Sequence, residues 1–277
     1  MTDKYAVIGN PVAHSKSPFI HAEFARQTGQ DIAYTAVLAP REGMRAAVLA
    51  FRDAGGRGMN VTLPFKHEAW ALATRREGFA EAAGAVNTLT FHGADIIGYN
   101  TDGIGLVRDI KANLQCAIEG RRVLLMGAGG AAYGVVEPLM REHPDRLVIA
   151  NRTPAKADAL VAHFAGIAAW ASRGVNARGY AELMNERFDL LVNATSAGLR
   201  DEMPPLPEES IAPDALAYDM VYGRMTPFLH FARAHGARTA DGTGMLVEQA
   251  AESFFIWRGV RPQTAPVIAR LRSMGEG

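Results

Sequence analysis

The chain has 277 residues, 48% of them hydrophobic and 21% charged, with 29 Lys and Arg balanced by 29 Asp and Glu. A net charge of zero provides no field to draw in nucleic acid or an anionic membrane, so a charged small molecule would need a local site. The length suits two domains or one large α/β domain, with enough apolar material for a substantial core.

The first segment, "KYAVIGN", reads as a strand that follows Met1 almost at once, so no apolar signal segment is expected. It stops at Gly9, and "PVAHSKSP" predicts a helix starting at Ser17 and Pro18, with serine as N-cap and proline in the first helical position. Ser15 and Ser17 either serve that helix start alone or offer two hydroxyls to a small carboxylate at the positive end of the helix. "IAYTAVLA" is a second strand, and a helix is expected near residues 41–53.

"GMNVTLPFKHE" comes next, and in it Asn60, Thr62, Pro64 and Lys66 alternate with Val61, Leu63 and Phe65. In an extended chain this would make one face wholly apolar and give the other an amide, a hydroxyl and an ammonium. Any half-buried strand alternates in the same way, with Pro64 marking its edge or its end. After a helix through Trp70, "AVNTLTFHGADIIGYN" holds two runs separated by residues 92–95, a hairpin pattern. Asn87 and Asp102 each follow an apolar run. Asp102, with Gly103 after it, either opens a turn or helix or faces Lys66 as a proton-handling pair.

The single cysteine, Cys116, rules out a disulfide within the chain and points to a reducing compartment, the cytoplasm. With no basic residue beside it, Cys116 reads as packing rather than as a nucleophile. The eight histidines lack metal-ligand spacing, so no metal is expected. In "VLLMGAGGAA" an apolar strand, Val123–Met126, runs into Gly127, Gly129, Gly130 and Ala132 and then a helix. Gly127 suits a tight turn, Gly129 a close approach of pyrophosphate, and Ala132 close helix–strand packing. The uncharged stretch 123–136 is too short to span a bilayer.

The next strand, "RLVIANRT", ends in Asn151, Arg152 and Thr153 with no carboxylate. An acidic residue here would hold the ribose 2′-hydroxyl of NAD, whereas a guanidinium can bind the 2′-phosphate of NADP. Arg152 is otherwise a solvated surface arginine. "FDLLVNATSAG" and "ALAYDMVYG" complete a second strand–helix series, and "DGTGMLVEQAAESFFIWRG" has apolar residues at helical spacing. Two such series predict two α/β domains, the second of Rossmann type, with a boundary near Asp102.

"GNPVAHSKSP", "NVTLPFK", "GAVNTL", "GYNTDGIG", "GAGGAA", "NRTPAK", "NATSAG" and "DGTGMLVEQAA" occur in this order. Together they resemble the shikimate dehydrogenase family across nearly the full chain. The resemblance implies a mainly parallel N-terminal substrate domain, residues 1–102 with 243–277, whose C-terminal helices pack back on it. Residues 103–242 would be the NADP-binding domain. It implies NADPH-dependent reduction of 3-dehydroshikimate to shikimate, with Lys66 and Asp102 catalytic. Ser15 and Ser17 would bind the substrate carboxylate. Asn60, Thr62, Asn87, Asp102 and Gln249 would hold its hydroxyls, with Tyr222 nearby. The cofactor would meet Gly127, Ala128, Gly129, Gly130, Ala131, Asn151, Arg152, Thr153, Lys156, Thr195, Met220 and Gly242.

Two features depart from the family pattern: Tyr133 stands where relatives often carry a smaller or basic residue, and "LATRREGFAEAAG" lacks an acidic-led helix start. A quinate/shikimate dehydrogenase is the nearest alternative, but Ser17 and the Asn151–Arg152 pair argue against it. A non-catalytic sensor on the same fold would be free to lose Lys66 or Asp102, and both are present. A monomer and a homodimer are both compatible with the neutral chain.

Overall fold

A computed structural model describes residues 2–166 and 174–275. The chain forms two compact α/β units, one running through Gly105 and resuming at Val247–Ala269, the other formed by Leu106–Leu246 and the residues from Arg270 on. Set against 1–102 with 243–277 and 103–242, the main difference is that residues 270–275 group with the second unit.

The first unit is built on strands β1 (Asp3–Gly9), β2 (Ile32–Leu38), β3 (Gly56–Val61), β4 (Arg75–Gly78), β5 (Thr88–His92) and β6 (Asp95–Asn100). They form a six-stranded sheet in the order β2-β1-β3-β5-β6-β4. β1 pairs in parallel with β2 and β3, and β4 with β6. β5 runs antiparallel to β3 and β6, with Gly93 at positive φ in its hairpin turn. Residues 5–9 of β1 are all buried, as a central strand covered on both faces requires. Helices α1 (Ser17–Thr28), α2 (Met44–Asp53), α3 (Lys66–Leu72) and α4 (Ala80–Ala83) connect the strands. Met44 and Val48 of α2, one turn apart, are fully buried in a core with Ile8, Met59, Val61 and Leu89.

Two local expectations are corrected. The alternating row through Lys66 is not one strand: β3 stops at Val61, residues 62–65 turn, and Lys66 is the first residue of α3. Leu63 is accordingly 67% exposed while Val61 and Phe65 are buried in one core, so the three apolar residues do not share a face. Nor is Ser17 an N-cap. Lys16 holds that position without a side-chain bond, and the Ser17 N–H donates to Ser15 Oγ at 3.2 Å.

In the second unit β7 (Arg122–Met126), β8 (Arg146–Ala150), β9 (Gly174–Arg178), β10 (Phe188–Asn193), β11 (Ile211–Asp219) and β12 (Arg238–Ala240) are all parallel. Their order, β12-β11-β10-β7-β8-β9, is that of a Rossmann sheet. Helices α6 (Gly130–Arg141), α7 (Pro154–Phe164) and α8 (Pro227–Ala234) cover it. The chain order reverses between β7 and β10, which places the glycine-rich turn after β7 at the switch point where such sheets bind ligands. Helix α5 (Asp102–Arg108) precedes this unit's sheet, and α9 (Thr243–Arg258) and α10 (Ala265–Gly275) close the chain.

Candidate functional site

The topology of the first sheet gathers the expected substrate residues along one edge. β1 and β3 are parallel, so the Ser15–Ser17 loop and Thr62 both follow carboxyl ends on that edge. β5 is antiparallel to β3, so Asn87, just before it, starts at the same edge. β6 reverses again, so Asp102, just after it, finishes there. Backbone bonds tie these segments together: Thr62 N–H to the Ile8 carbonyl (3.0 Å), Val61 N–H to that of Asn87 (2.8 Å), and Val86 N–H to that of Lys66 (2.9 Å).

Lys66 Nζ donates to Asp102 Oδ2 at 2.6 Å. The other carboxylate oxygen accepts from Asn87 Nδ2 at 2.8 Å. Asn87 is itself fixed, because its Oδ1 accepts the Thr101 N–H at 2.9 Å while Nδ2 also reaches Thr101 Oγ1 (2.9 Å) and Gln249 Oε1 (3.4 Å). Asn100 Oδ1 accepts the Asp102 N–H at 3.1 Å, which holds the backbone under the carboxylate. The lysine and aspartate side chains remain 25% and 11% exposed, enough for a ligand to reach them. A charge-assisted bond of this length between a partly open ammonium and an oriented carboxylate is suited to moving a proton.

Asn60 is placed differently. It is 6% exposed, and its Oδ1 accepts from Tyr34 Oη at 2.7 Å. Its Nδ2 faces Thr88 Oγ1 (3.1 Å) and Ser253 Oγ (3.0 Å). With both amide atoms engaged inside the protein, Asn60 supports the edge from beneath. Tyr34 also stacks on the imidazole of His21 at 4.2 Å between ring centroids. His21 is fully buried among Phe24, Phe254 and Trp257, and neither ring nitrogen has a hydrogen-bond partner within ordinary distance. Burial pushes its pKa down to about 3.

In the second unit a pocket of about 300 Å³ is lined by Ala128 and Gly129 from the turn after β7, by Asn151, Arg152, Thr153 and Lys156 after β8, and by Thr195 after β10. Gly127 has φ 107°, and a Cβ there would meet the Ala194 carbonyl carbon and Thr195 Cγ2 at 3.1 Å, so the turn admits only glycine. A Cβ at Gly129 would meet nothing within 4 Å, which leaves its backbone open to a ligand. Thr195 Oγ1 donates to Asn193 Oδ1 at 2.7 Å, and Asn193 Nδ2 to the buried Asp219 at 3.0 Å. Burial raises the Asp219 pKa above the ordinary carboxylate range.

Of the other expected cofactor residues, Gly130 and Ala131 begin α6. Met220 and Gly242 are brought together, since a Cβ on Gly242 would lie 2.3 Å from the Met220 carbonyl oxygen. Tyr222 follows β11 and is 37% exposed. Sequence reasoning missed Tyr180 and Arg200, which also line the pocket. No local motif marks either of them: Tyr180 follows a short strand, and Arg200 is five residues past Thr195 on a single helical turn.

These lining groups suit NADP. Three cationic side chains, Arg152, Lys156 and Arg200, border the pocket, and no carboxylate is among the described residues that line it. An open glycine backbone at a helix N-terminus complements a pyrophosphate.

Sequence models of three domain families match successive parts of the chain. The shikimate dehydrogenase substrate binding domain covers residues 7–89, shikimate / quinate 5-dehydrogenase 109–199, and the shikimate 5'-dehydrogenase C-terminal domain 242–272. The shikimate dehydrogenase (NADP(+)) of Nitrosospira multiformis is 60% identical, over 99% of this chain and 98% of its own. Among solved structures, an Ael1 enzyme from Pseudomonas putida is 49% identical with a TM-score of 0.93, covering 98% of each chain. The shikimate 5-dehydrogenase of Thermus thermophilus, solved in complex with NADP(H) and shikimate, is 33% identical with a TM-score of 0.86, covering 98% of this chain and 99% of that one.

Proposed function

Because the chain belongs to the shikimate dehydrogenase family, we propose that it performs the NADPH-dependent, reversible reduction of 3-dehydroshikimate to shikimate in aromatic amino acid biosynthesis. The observation that carries this reading is the 2.6 Å contact of Lys66 with Asp102, whose other oxygen is held by Asn87.

When bound, NADPH supplies a hydride to the ketone carbon. Lys66 donates the proton that the carbonyl oxygen needs to become a hydroxyl, and Asp102 orients the ammonium that gives it. In the oxidation direction the hydroxyl proton leaves to the Lys66–Asp102 pair, the two residues sharing the role of base. Ser15 and Ser17 are assigned to the substrate carboxylate, and Thr62, Asn87, Asp102 and Gln249 to its hydroxyls, with Tyr222 as a further contact. Asn60 acts through its neighbours, on the evidence of its fully engaged amide. The first unit is thus the substrate unit and the second the NADP unit. Its single cysteine supports a cytoplasmic location.

Arg152 is the residue expected to set cofactor choice. Arg152→Ala should raise the KM for NADP by roughly tenfold or more while leaving that for NAD nearly unchanged, since only NADP carries the phosphate. Equal shifts for both cofactors would overturn the assignment.

Oxidation of shikimate and of quinate, each with NADP and with NAD, tests the reading as a whole through the absorbance of the reduced cofactor. Strong turnover with shikimate and NADP alone is the expected result. Comparable turnover with quinate would show that the serine pair does not set substrate choice. No turnover with any combination would reject the enzyme.

A further inference from the structure

We propose that Arg200 is a third cation of the 2′-phosphate pocket, and that Glu202 is a built-in competitor which the phosphate must displace. The inference rests on the NADP reading above. Glu202 Oε2 lies 3.1 Å from Arg200 Nη2 and 3.6 Å from Arg152 Nη2, while Arg200 Nε donates to Oε1 at 3.1 Å. Two guanidiniums therefore already converge on a single anionic oxygen. Arg152 and Arg200 both line the pocket beside Lys156.

This cluster does little for the fold. Arg152, Arg200 and Glu202 are 68%, 58% and 45% exposed, and ion pairs in such positions are screened by solvent. They are correspondingly free to exchange partners. Arg200 holds the Glu202 carboxyl below the ordinary glutamate range, so it is ionised near neutral pH. A phosphate presents more charge and more acceptor oxygens than a carboxylate, so it can take both guanidiniums. An adenosine moiety without the phosphate leaves the carboxylate in place. Glu202 would thereby lower the affinity for NADP while leaving that for NAD unaltered, and the two arginines would be shared between an internal anion and an external one.

Calorimetric titration of the full chain with adenosine 2′,5′-bisphosphate and with 5′-AMP separates these claims without relying on turnover. Wild-type protein should bind the bisphosphate far more tightly than 5′-AMP. If it does not, the NADP reading itself fails. Glu202→Gln should tighten bisphosphate binding by roughly two- to fivefold, and Arg200→Leu should weaken it by roughly three- to tenfold. Neither variant should move 5′-AMP. A wild-type preference with both variants unchanged, or with both nucleotides shifted equally, would overturn the inference alone. Weaker bisphosphate binding in Glu202→Gln would show that the carboxylate aligns the arginines rather than competing for them.

Discussion

Lys66→Ala is expected to lower kcat for shikimate oxidation by about 10²- to 10⁴-fold, the range for loss of a positioned proton-transfer group. Shikimate should still bind to within about tenfold, because a lost transition-state interaction need not weaken the ground-state complex. Asp102 would retain its bond from Asn87 and its backbone anchor on Asn100, so the edge of the sheet should keep its shape. Equilibrium binding of shikimate, paired with steady-state turnover, checks both halves. Near-normal turnover would remove Lys66 from the chemistry, while lost binding with intact turnover at saturation would make it a substrate ligand only.

His21 gives the second large effect, this time on stability. Its folded pKa is about 3 against an ordinary 6.5. Between these values the unfolded chain binds a proton that the folded one refuses. Stability from this group is therefore fully present above pH 6.5 and falls as pH drops toward 3, by up to about 1.4 kcal/mol per pH unit. His21→Phe and His21→Leu, neither of which titrates, should each lose that part of the acid slope whatever their stability at pH 7. Urea unfolding from pH 4.5 to 7.5, followed by tryptophan fluorescence, to which Trp257 at 5.3 Å from His21 contributes, measures it. An unchanged slope in both variants would assign the acid sensitivity to other groups.

The second unit was the more legible from sequence. Strands buried on both faces read as unbroken apolar runs, as in the fully buried Val123–Met126, and the glycines after β7 sit where their backbone demands. β9 and β12 escaped notice, one half-buried along most of its length and the other only three residues long. In the first unit the hairpin was visible in its two runs around Gly93, but the alternation through Lys66 misled. Period two persists in the sequence after the strand has stopped, and a turn followed by a helix start carries the same letters. The Lys66–Asp102 pair could be named from sequence only as an option, because the two helix starts that bring them together are 36 residues apart. The role of Asn60 was hidden for the same reason. Its partners Tyr34 and Ser253 lie 26 and 193 residues away, and no local pattern shows that its amide is already taken.

That longest of separations bears on the order in which the molecule is made. The first unit is discontinuous, and roughly 140 residues of the second unit are synthesised between its two pieces, an interval of about 7 to 30 s at usual elongation rates. Throughout it the early sheet lacks Ser253 beside Asn60 and Thr88, and His21 lacks two of the rings that enclose it, those of Phe254 and Trp257. The unit that emerges first thus waits for its second piece, and the nucleotide-binding half has all its strands before α9 reaches the substrate half.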